Sequence, residues 1–133
     1  MLTHEERIKS YAHKCLTKLE GYTPYTDSDV TPEILLNQSI MGQYHNADGT
    51  TVFITLTGLY LEPHEWMIPY SEMRSCDIDL TNTSKSTVQK IQIYLKTGEQ
   101  IELPIIQPLT AGNGRTNEIW QVFTFLRNLI AKS

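Results

Sequence analysis

The sequence predicts an α+β domain that is mainly β: one helix, then seven short antiparallel strands, then a closing helix. Three observations carry this. Thr87–Ile106 is a pair of period-two runs joined by Lys96-Thr97-Gly98-Glu99. Six-residue apolar stripes at helical spacing stand near either end of the chain. Between them, short alternating runs are broken by Asp-Gly, Thr-Gly and Pro-His turn signals, so neighbouring strands are connected locally. An antiparallel barrel or sandwich is the architecture such a pattern builds.

The first element opens on Thr3-His4-Glu5-Glu6, with Thr3 as N-cap and Glu6 three residues on, a capping box. Ile8, Tyr11, Ala12, Cys15, Leu16 and Leu19 follow on one face, opposite Glu5, Arg7, Lys9, Lys14 and Lys18, and Gly21 closes the helix. The stripe lacks Trp and Phe, and its polar face mixes signs. Packing on the domain's own sheet is therefore expected over lying on a membrane. Tyr22–Val30 reads as a polar connection. Its Asp27 and Asp29 lack the Gly and Glu that an EF-hand loop requires, and Thr31-Pro32-Glu33 is a helix start.

The rhythm then becomes two. Ile40, Gly42 and Tyr44 lead through Asn46-Ala47-Asp48-Gly49 to Val52, Ile54 and Leu56. Thr57-Gly58 turns into Leu59–Glu62, and Pro63-His64 turns into Glu65–Ile68. A bend at Pro69–Glu72 precedes Cys76, Ile78 and Leu80, which alternate with Ser75, Asp77 and Asp79. After a polar loop at Asn82–Ser86 comes the hairpin, with Ile91, Ile93 and Leu95 facing the core from one strand and Ile101, Leu103 and Ile105 from the other. Gln107–Gly114 is a flexible stretch. The last helix then carries Ile119, Val122, Phe123, Leu126, Leu129 and Ile130 inward, with Trp120 and Phe125 on its flanks as a candidate aromatic edge for a partner.

Composition narrows the function. The 133 residues form a single domain, 40% hydrophobic and 20% charged, with a formal net charge of −4 that gives no general attraction to nucleic acid. No apolar leader and no eighteen-residue apolar run is present, so a cytoplasmic protein is expected. Cys15 and Cys76 read as buried, reduced thiols. His4, His13, His45 and His64 have no metal-ligand spacing, and no Gly-x-Ser-x-Gly, P-loop or dinucleotide fingerprint occurs. Asp77 and Asp79, two apart on a strand, are the one pair of carboxylates expected on a shared face.

Seven antiparallel strands followed by one amphipathic helix resemble the pleckstrin-homology (PH) superfold. Gly49–Leu61 resembles the second and third strands of GRAM and bacterial PH-like domains, and Ile68–Met73 resembles the turn after their fourth strand. The resemblance spans 32–132, with 1–21 as an added N-terminal helix, and implies a seven-stranded barrel capped by the last helix. It also implies a peptide groove between the fifth strand, here Arg74–Leu80, and the last helix, Ile119–Ile130. The candidate partner surface is thus Trp120, Phe125, Arg74, Asp77 and Asp79.

The family's phosphoinositide site is not expected here. Leu19–Met73 holds eight acidic residues and neither Lys nor Arg, and the loop His45–Thr50 offers no cation to a phosphate. The expectation is a non-enzymatic, bacterial protein- or peptide-binding module, self-association included, with no cofactor, metal or nucleic acid. Membrane association through the N-terminal amphipathic helix is the alternative, and an enzyme whose site is not legible from sequence is the residual one.

Overall fold

The computed structural model describes residues 3–25, 39–62, 66–81, 83–84, 87–107 and 118–132. The expected helix start at Thr31-Pro32-Glu33, the Asp27/Asp29 loop, the Pro63-His64 turn and most of Gln107–Gly114 lie outside these residues.

Helix α1 spans His4–Leu16. Its capping box forms as the sequence implies: the Glu6 N–H donates to Thr3 Oγ1 at 3.1 Å, and the Thr3 N–H donates to the Glu6 carboxylate at 3.2 Å. The helix stops four residues earlier than Gly21 suggested. Thr17 turns its hydroxyl back onto the His13 carbonyl at 2.6 Å, and the Leu19 N–H closes a tighter turn on Leu16. Ile8, Ala12 and Leu16 are buried, but their main neighbour is the C-terminal helix, not a sheet.

Five strands form the first sheet in sequence order: β1 Tyr22–Pro24, β2 Ile40–His45, β3 Thr51–Thr55, β4 Gly58–Glu62 and β5 Trp66–Pro69. Sequence periodicity passed over β1, because three residues carry no readable period and Pro24 argues against a strand. As the sheet's edge, β1 tolerates that proline. Its anchor is Tyr22, whose ring lies over Gly42: a Cβ added there would sit 2.2 Å from the phenol oxygen. Tyr44 covers Gly21 in the same way. The β2–β3 turn uses Gly49 at φ +94°, with Asp48 accepting from the Thr50 N–H and hydroxyl.

The expected alternation of buried and wet faces fails at the middle of this sheet. Val52, Ile54, Leu59 and Leu61 face the main core as expected. The reverse face is also apolar: Phe53 and Tyr60 are cross-strand partners with ring centroids 6.2 Å apart, both buried, with Ile40 and Met67 packed on them. A central strand buried on both faces shows no period of two in its burial.

A single 3₁₀ turn, Tyr70–Glu72, leads into the second sheet of β6 Met73–Asp77, β7 Lys90–Leu95 and β8 Gln100–Pro104, in that order. The β7–β8 hairpin matches its sequence reading. Gly98 turns at φ +95°, Ile93 faces Ile101, Ile91, Ile93, Leu95, Leu103 and Ile105 are buried, and Lys90 and Glu102 form an exposed ion pair. Helix α2, Ile119–Lys132, places Ile119, Val122, Leu126 and Leu129 in the core beside β6 and α1.

The chain is therefore α+β and mainly β, but its strands form a five-stranded and a three-stranded sheet that do not close into a barrel. Two corners join them. At one, the Tyr70 hydroxyl donates to the Thr55 carbonyl at 2.7 Å, and the Lys96 N–H donates to Glu72. At the other, the buried Asn46 amide donates to Thr50 Oγ1 and the Pro104 carbonyl while its oxygen accepts the Ile106 N–H at 2.7 Å. One side chain thereby ties the β2–β3 loop to the end of β8.

Candidate functional site

Strand β6 ends its sheet, so half of its backbone N–H and C=O groups point away from β7. Its register against β7 shifts between Met73 and Ser75, which leaves Arg74 as the extra residue of a bulge. Met73 is buried and Cys76 half-buried, whereas Arg74, Ser75 and Asp77 are exposed. A residue at a bulge on a sheet edge has its side chain and backbone re-aimed toward solvent, which is where a partner would meet it.

Helix α2 lies alongside. Trp120, Phe123 and Arg127 follow one another at i, i+3 and i+7, which aligns them along one flank. Trp120 meets Phe123 edge-on at 6.0 Å and 86°, and the Arg127 guanidinium sits 5.6 Å from the Phe123 ring centre, a cation–π contact. Trp120 and Phe123 are only half-buried. Across from them, burial pushes the Cys76 thiol up to about 11; the Arg127 charge opposes that rise and Asp77 adds to it. Cys76 is thus a neutral thiol between a helix flank and a sheet edge.

Of the five residues expected at a partner surface, Arg74 and Asp77 are exposed on β6, and Trp120 is half-buried on α2, the helix packed beside that strand. Phe125 belongs elsewhere. It is fully buried and meets Tyr70 edge-on at 6.3 Å, so it serves the core and offers no face to solvent. Its position on the helix wheel, between the stripe and the polar face, was ambiguous; the 3₁₀ turn packed on that flank decides it. Asp79 also departs from expectation. The strand ends at Asp77, and Asp79 closes a turn by accepting from the Thr81 N–H and hydroxyl, which hold its carboxyl below the usual range. Asp77 accepts from the Ile78 N–H. The two carboxylates are occupied separately and share no strand face.

Sequence reasoning puts Arg127 on the outward face of the last helix, where it lies, but counts Phe123 in the inward stripe and so misses their contact, although the spacing from Trp120 was readable. It also missed Glu118, directly before α2. This buried carboxylate accepts from the Glu20 N–H at 2.6 Å, the Tyr44 hydroxyl at 2.9 Å and the Gly21 N–H at 3.2 Å. Burial first, and the Glu118 charge second, raise the Tyr44 phenol far above its ordinary value. All three donors are neutral, so the cluster fastens the end of α1 to β2 and α2. Among the described residues no group of three His, Cys, Asp or Glu is placed to hold a metal ion. The β2–β3 loop presents Asp48, not a cation.

Compared with known proteins, the chain matches no family model, no curated protein and no solved structure.

Proposed function

We propose that this chain is a non-enzymatic protein- or peptide-binding module of PH-like architecture, working in the bacterial cytoplasm and taking an extended segment of its partner along β6. The observation that carries the reading is the edge of β6 that no other described strand pairs, on a strand packed beside α2 and its half-buried Trp120 and Phe123. An added strand gains main-chain hydrogen bonds along the edge, while alternate side chains reach the helix flank. Arg74 and Asp77 give that edge opposite charges at its two ends, which favours one direction of the bound strand. The locally connected antiparallel strands and the closing helix support the PH-like reading. A membrane-lying role for α1 has less support, because its apolar stripe is occupied by the fold.

The test is selection from a displayed library of linear peptides, followed by amide exchange and NMR of the selected complexes. Selected peptides should protect β6 amides, shift the Trp120 indole signal and bind more weakly to Arg74→Glu. Peptides that leave β6 unprotected, or a library with no enrichment, would refute the reading. In a parallel arm, phosphoinositide vesicles should fail to sediment the chain at physiological salt.

A further inference from the structure

A groove of about 440 Å³ runs between α1 and the β1–β2 edge of the first sheet, away from β6. The volume lies within the range of small-ligand sites. Its two walls differ in kind. Along α1, Lys9 and His13 stand one turn apart and exposed, with Glu5 a turn before them and Thr17 a turn after. Across from them the sheet edge presents the half-buried Met41 and Ile40, the latter also packed on Phe53 and Tyr60, with Leu56 and Ala12 buried beneath. Neither the Lys9 ammonium nor the His13 ring has a side-chain partner among the described residues.

We infer that this groove binds an amphipathic monocarboxylate: the carboxylate against Lys9 and His13, the hydrocarbon on Ile40, Met41 and Leu56. Two donors on one helix wall suit an anionic head group, and the apolar wall opposite suits a chain without further polar groups. Glu5 adds a limit, because a second anion at its end of the groove is repelled. The length of wall from Lys9 to Thr17, eight residues of helix, is about 12 Å and accepts a linear chain of moderate length.

The assay titrates the full chain with monomeric decanoate and follows methyl resonances. Saturable shifts confined to Ile40, Met41, Leu56 and Ala12 are expected, with Ile93 and Leu103 unmoved. Decylamine should bind more weakly, and so should decanedioate. Lys9→Glu should weaken decanoate at least about tenfold, whereas Arg7→Glu, on α1 but outside the groove, should not. Absence of saturable shifts, shifts centred elsewhere, equal binding of decanoate and decylamine, or equal losses in both variants would overturn the inference. Sedimentation with phosphatidylglycerol vesicles by a chain that ignores monomeric decanoate would overturn it too, because the site would then be a surface for lipid.

Discussion

Truncating Glu118 to alanine should cost about 3 kcal/mol. The carboxylate accepts three hydrogen bonds, of which those from Gly21 and Tyr44 are buried and that from Glu20 is half-buried. A donor left without an acceptor in such surroundings costs about 1–3 kcal/mol. Losing three at the low end gives about 3 kcal/mol, because removing a buried charge returns part of its desolvation penalty. For a chain of 133 residues that loss corresponds to a melting temperature about 10 °C lower. Glu118→Gln keeps one acceptor but points an amide donor at donors, so about 1–2 kcal/mol is expected. Thermal melts followed by circular dichroism read the total, and exchange of the Gly21 amide reads the contact itself. A cycle with Tyr44→Phe should show a coupling of about 1 kcal/mol. A Glu118→Ala chain within about 0.5 kcal/mol of the parent, with Gly21 exchange unchanged, would refute the assignment of this cluster as the fastening of α1.

Three further outcomes follow from the packing. Ile93→Lys, at a fully buried position, should unfold the domain in urea titrations, whereas Gln92→Lys on the opposite face should lose little, since an unpaired buried charge costs several kcal/mol. Gly42→Ala should lose about 1–3 kcal/mol by calorimetry through collision with the Tyr22 ring, and adding Tyr22→Ala should recover part of that loss at the methyl. Tyr44 and Tyr70 both titrate above their ordinary 10.0, chiefly through burial, so the native state keeps protons that the unfolded chain releases. Their contribution is complete below pH 10 and is lost as pH rises past it, by up to about 1.4 kcal/mol per pH unit for each phenol; urea melts of Tyr44→Phe should show a shallower alkaline decline.

What the sequence made legible was whatever one element settles by itself. Thr3 and Glu6 sit three apart and make their box locally, and the turn at Gly98 needs only its own backbone. Ile91, Ile93 and Leu95 alternate because one side of β7 is wet. Features that depend on distant elements were hidden. Phe53 reads as an outward residue until Tyr60 pairs with it, and Tyr22 reads as loop until its ring finds Gly42. Phe125 looks like a flank until Tyr70 arrives beside it, and the backbone N–H groups that donate to Glu118 lie 97 and 98 residues away in sequence. Asp79 was misplaced for the opposite reason: a local bond to Thr81 won over strand continuation, as short acidic side chains often do. Of the candidate site, the edge position of β6 was visible only once strand order was known.

The pairing of α1 with α2 also sets a schedule for synthesis. The first helix ends at Leu16 and its main packing partner begins at Ile119, so a ribosome adding roughly 5–20 residues per second makes the partner some 5–20 s later. Throughout that interval Ile8, Ala12 and Leu16 have no α2 to cover them, and the acceptor for the Gly21 N–H has not yet been made. The two sheets can assemble in the meantime, since each strand's partner follows directly or across one connection. Of these two helices α1 is thus made long before it is seated, and until α2 follows its apolar stripe is the part of the nascent chain most open to aggregation or to a holding chaperone.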